Sequence, residues 1–195
     1  MNFDALVEGP TDEAVARKLL AGTGHSFGTC YGRRGCTFIR DKIGGYSQRA
    51  RFGAPLLAMV DFMDFGYECP PSLAGALVPS RPDLLVLSVV VRELESWILA
   101  DRQGIAEFLN VSIALVPDNP ESLPDPKQAL INLARRCRKR AIRDALLPEA
   151  GISATVGPGY AVEIQRFVAQ SWDLARARAA SLSLDRCLKR LEAFQ

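Results

Sequence analysis

Compact apolar runs alternate with stretches of helical periodicity through the first half of the chain. That alternation is the pattern of a parallel sheet built from strand–helix–strand units. Phe3 to Val7 predicts a first strand, stopped by Gly9-Pro10. A helix follows, with Thr11 as cap, Asp12 and Glu13 favouring its positive end, and Ala14, Val15, Lys18, Leu19 and Leu20 sharing a largely apolar face up to Gly22. Ser26 to Tyr31 predicts a second strand. Gly32, Gly35, Gly44 and Gly45 then punctuate a basic segment carrying Arg33, Arg34, Arg40, Lys42, Arg49 and Arg51.

Pro55 to Val60 is too continuously apolar to alternate and predicts a strand buried on both faces, running directly into Asp61-Phe62-Met63-Asp64. Leu84 to Val91 is the strongest strand signal, Leu-Leu-Val-Leu-Ser-Val-Val-Val combining β-branching with expected burial on both faces, and it ends in Arg92-Glu93-Leu94-Glu95. Beyond this point the pattern becomes helical: Glu93 to Ala100, Gln103 to Leu109, Lys127 to Leu147 in one or two pieces, Tyr160 to Gln170, and Leu182 to Phe194, with a Pro-rich link over 116–126. The expected fold is α/β: a mostly parallel, Rossmann-like sheet flanked by helices over 1–102, and a helical portion over 103–195 packed on it as one globular unit.

With 195 residues, 48% hydrophobic and 24% charged, the chain can bury a core and is not a disordered tail. Lys and Arg number 24 against 22 Asp and Glu, a formal charge of +2, which excludes a strongly basic binder and an acidic solvating protein. A polyanion must therefore be met by local charge. No apolar run reaches the roughly 20 residues of a membrane span, and Met1-Asn2-Phe3-Asp4 lacks the features of a secretory signal, so the expected location is the cytoplasm, with no membrane partner. Five cysteines without a CxxC pair support neither a disulfide framework nor a zinc ribbon. The single histidine, His25, sits in a Gly-rich stretch and reads as a loop residue, which argues against a His-based hydrolase.

Three predicted strands end in carboxylates: Glu8, then Asp61 and Asp64, then Glu93 and Glu95. In open parallel sheets, sites form beyond the C-terminal strand ends, where residues distant in sequence converge. Crowded carboxylates repel, and a hard divalent cation such as Mg²⁺ or Mn²⁺ with oxygen ligands is the simplest compensation. Glu8 is followed by Gly9, which permits a tight turn and leaves the side chain at the sheet end.

The segment Leu6-Val7-Glu8-Gly9-Pro10-Thr11-Asp12-Glu13 resembles the opening of Toprim domains, as in the overcoming-lysogenization-defect (OLD) nucleases, and Leu57 to Asp64 resembles their acidic second motif. Val91-Arg92-Glu93-Leu94-Glu95-Ser96-Trp97, Asp125-Pro126-Lys127 and Val156-Gly157-Pro158-Gly159-Tyr160 are similar to a bacterial Toprim-like family. The resemblance implies a Toprim-like fold and metal-dependent phosphodiester hydrolysis on nucleic acid, DNA or RNA. It gives Glu8 the role of general acid/base and gives Asp61 a hold on Mg²⁺ or Mn²⁺, with Asp12, Asp64 and Glu95 as further ligands. One departure stands out: the second motif is normally Asp-x-Asp, and here Met63 holds the second acidic position with Asp64 one residue later. In a strand that shift would turn the side chain to the other face, so Asp64 serves only if the backbone has already left the strand. Glu93 and Glu95, if both helical, point about 200° apart, and Glu95, beside Ser96-Trp97, is the better ligand.

Arg92 and Lys127 are placed for phosphate near the acids. Arg33, Arg34 and Lys42, with the run Arg135, Arg136, Arg138, Lys139, Arg140 and Arg143, can track a phosphate backbone or form a solvated face. Trp97 shares a helical face with Leu94 and Ile98 and reads as core. The chain has no G-x-x-x-x-G-K-[ST] loop, so by analogy an ATPase or a phage-defence protein is the expected partner. A non-catalytic Toprim-like module that binds nucleic acid or protein is the alternative, favoured by Met63 and the near-neutral charge. A receiver-like phosphoacceptor using Asp61 is disfavoured by the long helical second half.

Overall fold

The computed structural model describes residues 1–149, 151 and 153–194, and the chain divides into two compact units: Met1–Val91 with Ser183–Gln195, and Arg92–Leu182. The first unit is built on a four-stranded, all-parallel sheet of β1 (Asn2–Val7), β2 (Ser26–Gly32), β3 (Leu56–Asp61) and β4 (Leu85–Val90), in the order β2-β1-β3-β4. β1 and β3 are neighbours at the centre, and the chain steps to one side of them for β2 and to the other for β4. Their C-terminal ends are therefore the switch point of an open α/β sheet, where the crevice opens. β3 is buried on both faces, as its continuous apolar run requires, and β1 buries Phe3, Ala5, Leu6 and Val7 around a partly exposed Asp4.

α1 (Pro10–Gly22) starts with Pro at its first turn, where no amide hydrogen is needed, and buries Val15, Ala16, Leu19 and Leu20. α2 (Gly35–Arg51) occupies the segment that reads in sequence as Gly-rich and basic. Its helical stripe is narrow: Ile39, Ile43, Ser47 and Ala50 are buried, while positions 44 and 45 have open space where a Cβ would be, so two adjacent glycines cost it no packing. α3 (Pro70–Leu77) begins with two prolines behind a capping box made by Cys69 and Ser72. The turn from β2 into α2 passes close over β1. A Cβ at Gly32, whose φ is +90°, would stand 2.2 Å from the Val7 carbonyl oxygen, so only glycine serves there. The Arg33 amide donates to that same oxygen and the Gly35 amide to the Glu8 carbonyl, tying the start of α2 to the end of β1.

The second unit contains α4 (Leu94–Ala100), α5 (Arg102–Leu109), α6 (Pro126–Ala134), α7 (Arg140–Leu146), α8 (Tyr160–Gln170) and α9 (Leu174–Ala180). Trp97 is fully buried and its carbonyl accepts from the Trp172 indole. The predicted 127–147 helix is two helices with a break at 135–139, so the Arg-rich run straddles a turn instead of lining one helix. Lys139 there donates to the last carbonyls of α5 at Glu107 and Phe108. Gly157 lies so close to α7 that a Cβ would meet the Ala145 and Leu147 carbonyl oxygens at 2.4 Å, which explains the glycine without a ligand. Asp101 is fully buried and accepts from the amides of Gly104 and Asp173 and from two guanidinium nitrogens of Arg176. Asp101→Ala leaves these donors unmatched and is expected to cost about 3 kcal/mol by denaturant unfolding. A loss below 1 kcal/mol would show that water replaces the carboxylate.

α10 (Leu182–Glu192) returns to the first unit, where the Leu191 carbonyl bonds His25 Nε2 at 2.9 Å. His25 is buried, with Nδ1 3.1 Å from the amino terminus, and is held as a structural bridge at both ring nitrogens.

Candidate active site at the sheet switch point

Glu8 follows β1 and Asp61 ends β3, the two central strands, so topology places both at one crevice. Glu8 Oε1 accepts from the Asp61 amide at 3.1 Å. After Asp61 the chain leaves the strand as one 3-10 turn, Phe62–Asp64. With three residues per turn, positions 61 and 64 return to the same side. The single-residue displacement that would misdirect a strand side chain is absorbed, Met63 is turned to solvent, and Asp64 comes back to Glu8. Carboxylate oxygens of Glu8 and Asp64 and the Cys36 thiol all lie within 4.8 Å of one another.

Burial pushes the Glu8 carboxyl up to about 8; the Asp61 amide opposes this, and the charges of Asp64 and Asp12, with a hydrogen bond to Asp64, add to it. With its carboxyl raised to about 8, Glu8 holds a proton near neutral pH. Asp12 lies on the first turn of α1, nine-tenths buried, near enough to Glu8 to raise it, and one Oδ of Asp61 is buried from solvent. Cys36, in the first turn of α2 and four residues beyond the end of β2, is the member that sequence reasoning missed.

The basic residues of the first unit are mostly committed to structural contacts. Arg33, with φ +58°, pairs with Glu13 at 3.1 Å; Arg49 pairs with Asp4; Arg51 bonds the Ser80 carbonyl; Arg40 bonds the Asp64 carbonyl and lies over the Phe65 ring. Arg34 lies over the Phe38 ring, and Lys42 is exposed on α2.

In the second unit, Glu93 is extended and precedes α4, so the expected helical angle between it and Glu95 does not apply. Instead Lys127 engages both: its amide, at the start of α6, donates to Glu93 Oε2 at 3.1 Å, and its ammonium lies 3.6 Å from Glu95 Oε1. Glu95 is buried and also accepts from the Tyr160 hydroxyl at 2.8 Å. Burial raises Glu93, with Lys127 opposing and Glu95 adding. Arg92 is half-buried at the start of this unit. Burial drives the Tyr160 hydroxyl far above its ordinary range.

No family model and no curated protein matches the sequence. Among solved structures, the C-terminal region of the Burkholderia pseudomallei OLD protein, its Toprim part, is similar to this chain, with a TM-score of 0.50 over 98% of this chain and 97% of that one, at 15% identity. The likeness establishes a Toprim-like α/β fold. No described helix is long and apolar enough to cross a membrane.

Proposed function

We propose that the chain is a metal-dependent phosphodiesterase acting on nucleic acid, with its reacting centre at the C-terminal ends of β1 and β3. The observation that carries this reading is the approach of the Glu8 and Asp64 carboxylates at the ends of β1 and β3, with the Asp61 amide on Glu8, where burial and like charge raise the Glu8 carboxyl to about 8. A donor set of carboxylates that must otherwise hold a proton fits a hard divalent cation. Asp61 and Asp64, with Asp12 beside them, would hold Mg²⁺ or Mn²⁺. Such a cation supplies a water acidified toward neutrality and a positive charge beside the phosphate. Glu8 is the proton carrier: the Asp61 amide fixes Oε1 and orients the carboxyl, which can give a proton to the leaving oxygen or take one from water. Lys42 on α2 and Arg34 just before it are exposed and can meet phosphates, whereas Arg33 must first leave Glu13. Within the second unit, Glu95, held by the Tyr160 hydroxyl, is proposed as a carboxylate ligand, and Lys127 and Arg92 as cations for phosphate. The fold shared with the Toprim part of the OLD protein supports the reading.

The test is strand cleavage of plasmid, single-stranded DNA and RNA by the wild-type chain with Mn²⁺, Mg²⁺ or EDTA, alongside Asp61→Asn. Cleavage is expected with metal alone, and in the variant it falls with metal affinity while the melting temperature without metal barely changes, because relieved repulsion offsets the lost charge. Binding of nucleic acid without cleavage under any metal would establish a non-catalytic module instead.

A further inference from the structure

β4 is an edge strand, and its outer side is an open groove. The Leu56 amide bonds the Leu84 carbonyl, so the even-numbered residues of β4 pair with β3 and the main-chain groups of Leu87, Val89 and Val91 point outward. Arg190 donates to the Leu87 carbonyl at 2.9 Å and Ser183 Oγ accepts from the Val91 amide at 3.4 Å, which confirms that direction. The Val89 amide and carbonyl, between these two, face a groove of about 480 Å³. One wall is α3, small and uncharged, with Pro70, Ala74 and Gly75; the other is α10, with Arg186 and Arg190, and Arg81 closes the lower end. No aspartate or glutamate lines it. Burial and the nearby charge of Arg190 hold Arg81 below the ordinary guanidinium value.

We propose that this edge docks an extended acidic segment of a partner protein, which adds to the sheet as a further strand through Val89. A strand sends alternate side chains to opposite faces, and the two walls match such an alternation: small apolar side chains against α3, carboxylates against the arginines of α10. Nucleic acid is the other polyanion of interest, but no aromatic side chain lines the groove for bases to stack on, and its α3 wall is apolar. The inference goes beyond the proposed hydrolysis and does not depend on it.

The experiment is fluorescence anisotropy in EDTA, so that the metal site plays no part, with a labelled peptide of about six alternating Glu and Val residues and a Lys/Val control. Arg186→Glu reverses an exposed charge, and Gly75→Trp fills the groove from a position with open space for a side chain. The acidic peptide is expected to bind, the control not to bind, and each variant to weaken binding at least about tenfold. The Val89 amide is expected to exchange with solvent at least about tenfold more slowly in the complex. Absence of binding at about 1 mM, unchanged exchange at Val89, or displacement of the peptide by an oligothymidylate would overturn the proposal.

Discussion

Glu8→Gln is expected to lower metal-dependent cleavage by about 10²–10⁴-fold and, in the same protein, to raise the melting temperature of the metal-free chain at pH 9. Gln retains an oxygen for the Asp61 amide and can donate toward Asp64, so the crevice keeps its shape while the transferable proton is lost. The stability effect follows from linkage. The Glu8 carboxyl stands at about 8 in the folded chain against an ordinary 4.5, so its contribution is fully present below about 4.5 and is lost as pH rises through about 8. Above that pH the wild type carries an ionised, half-buried carboxylate beside Asp64 and Asp12, and Gln carries none. Thermal melts in EDTA between about pH 5 and 9 should show a steeper decline for the wild type than for the variant. Parallel declines would mean that Glu8 is not the group holding the proton.

The second large effect is on metal affinity. Below about pH 8 the proton held by Glu8 opposes the approach of a cation, so binding must release it. Mn²⁺ affinity is therefore expected to rise by up to about tenfold per pH unit from 6 to 8 and to level off above that. Calorimetry at pH 7 in two buffers of different ionisation enthalpy should report about one proton released per ion in the wild type and close to none in Glu8→Gln. A flat profile would place the ion elsewhere in the chain.

Much of the sheet was legible in the sequence because β3 and β4 are buried on both faces, and Leu57 to Val60 or Leu85 to Val90 cannot be amphipathic helices of useful length. α2 was hidden because its apolar stripe is only one residue wide and its solvent face carries Gly44, Gly45 and several arginines, the composition of a loop. Glu8 and Asp61 could be read as partners because a parallel sheet sends the ends of its central strands to one place. The position of Asp64 could not, since whether it faces the site depends on the 3-10 turn, which local composition does not dictate. Cys36 was beyond reach for a related reason: its approach to Glu8 depends on the close passage at Gly32, a non-local contact between two strand ends. Nothing local in Leu182–Glu192 says that it joins the sheet unit either. That rests on bonds made across most of the chain, from Leu191 to His25 and from Arg190 to Leu87.

The most direct measurement is an anomalous-difference map from crystals soaked in Mn²⁺. A peak about 2.0–2.3 Å from carboxylate oxygens of Asp61 or Asp64 and within reach of Glu8 is the expected result. A map with manganese bound only elsewhere, the crevice carboxylates still hydrogen-bonded to each other, would contradict it.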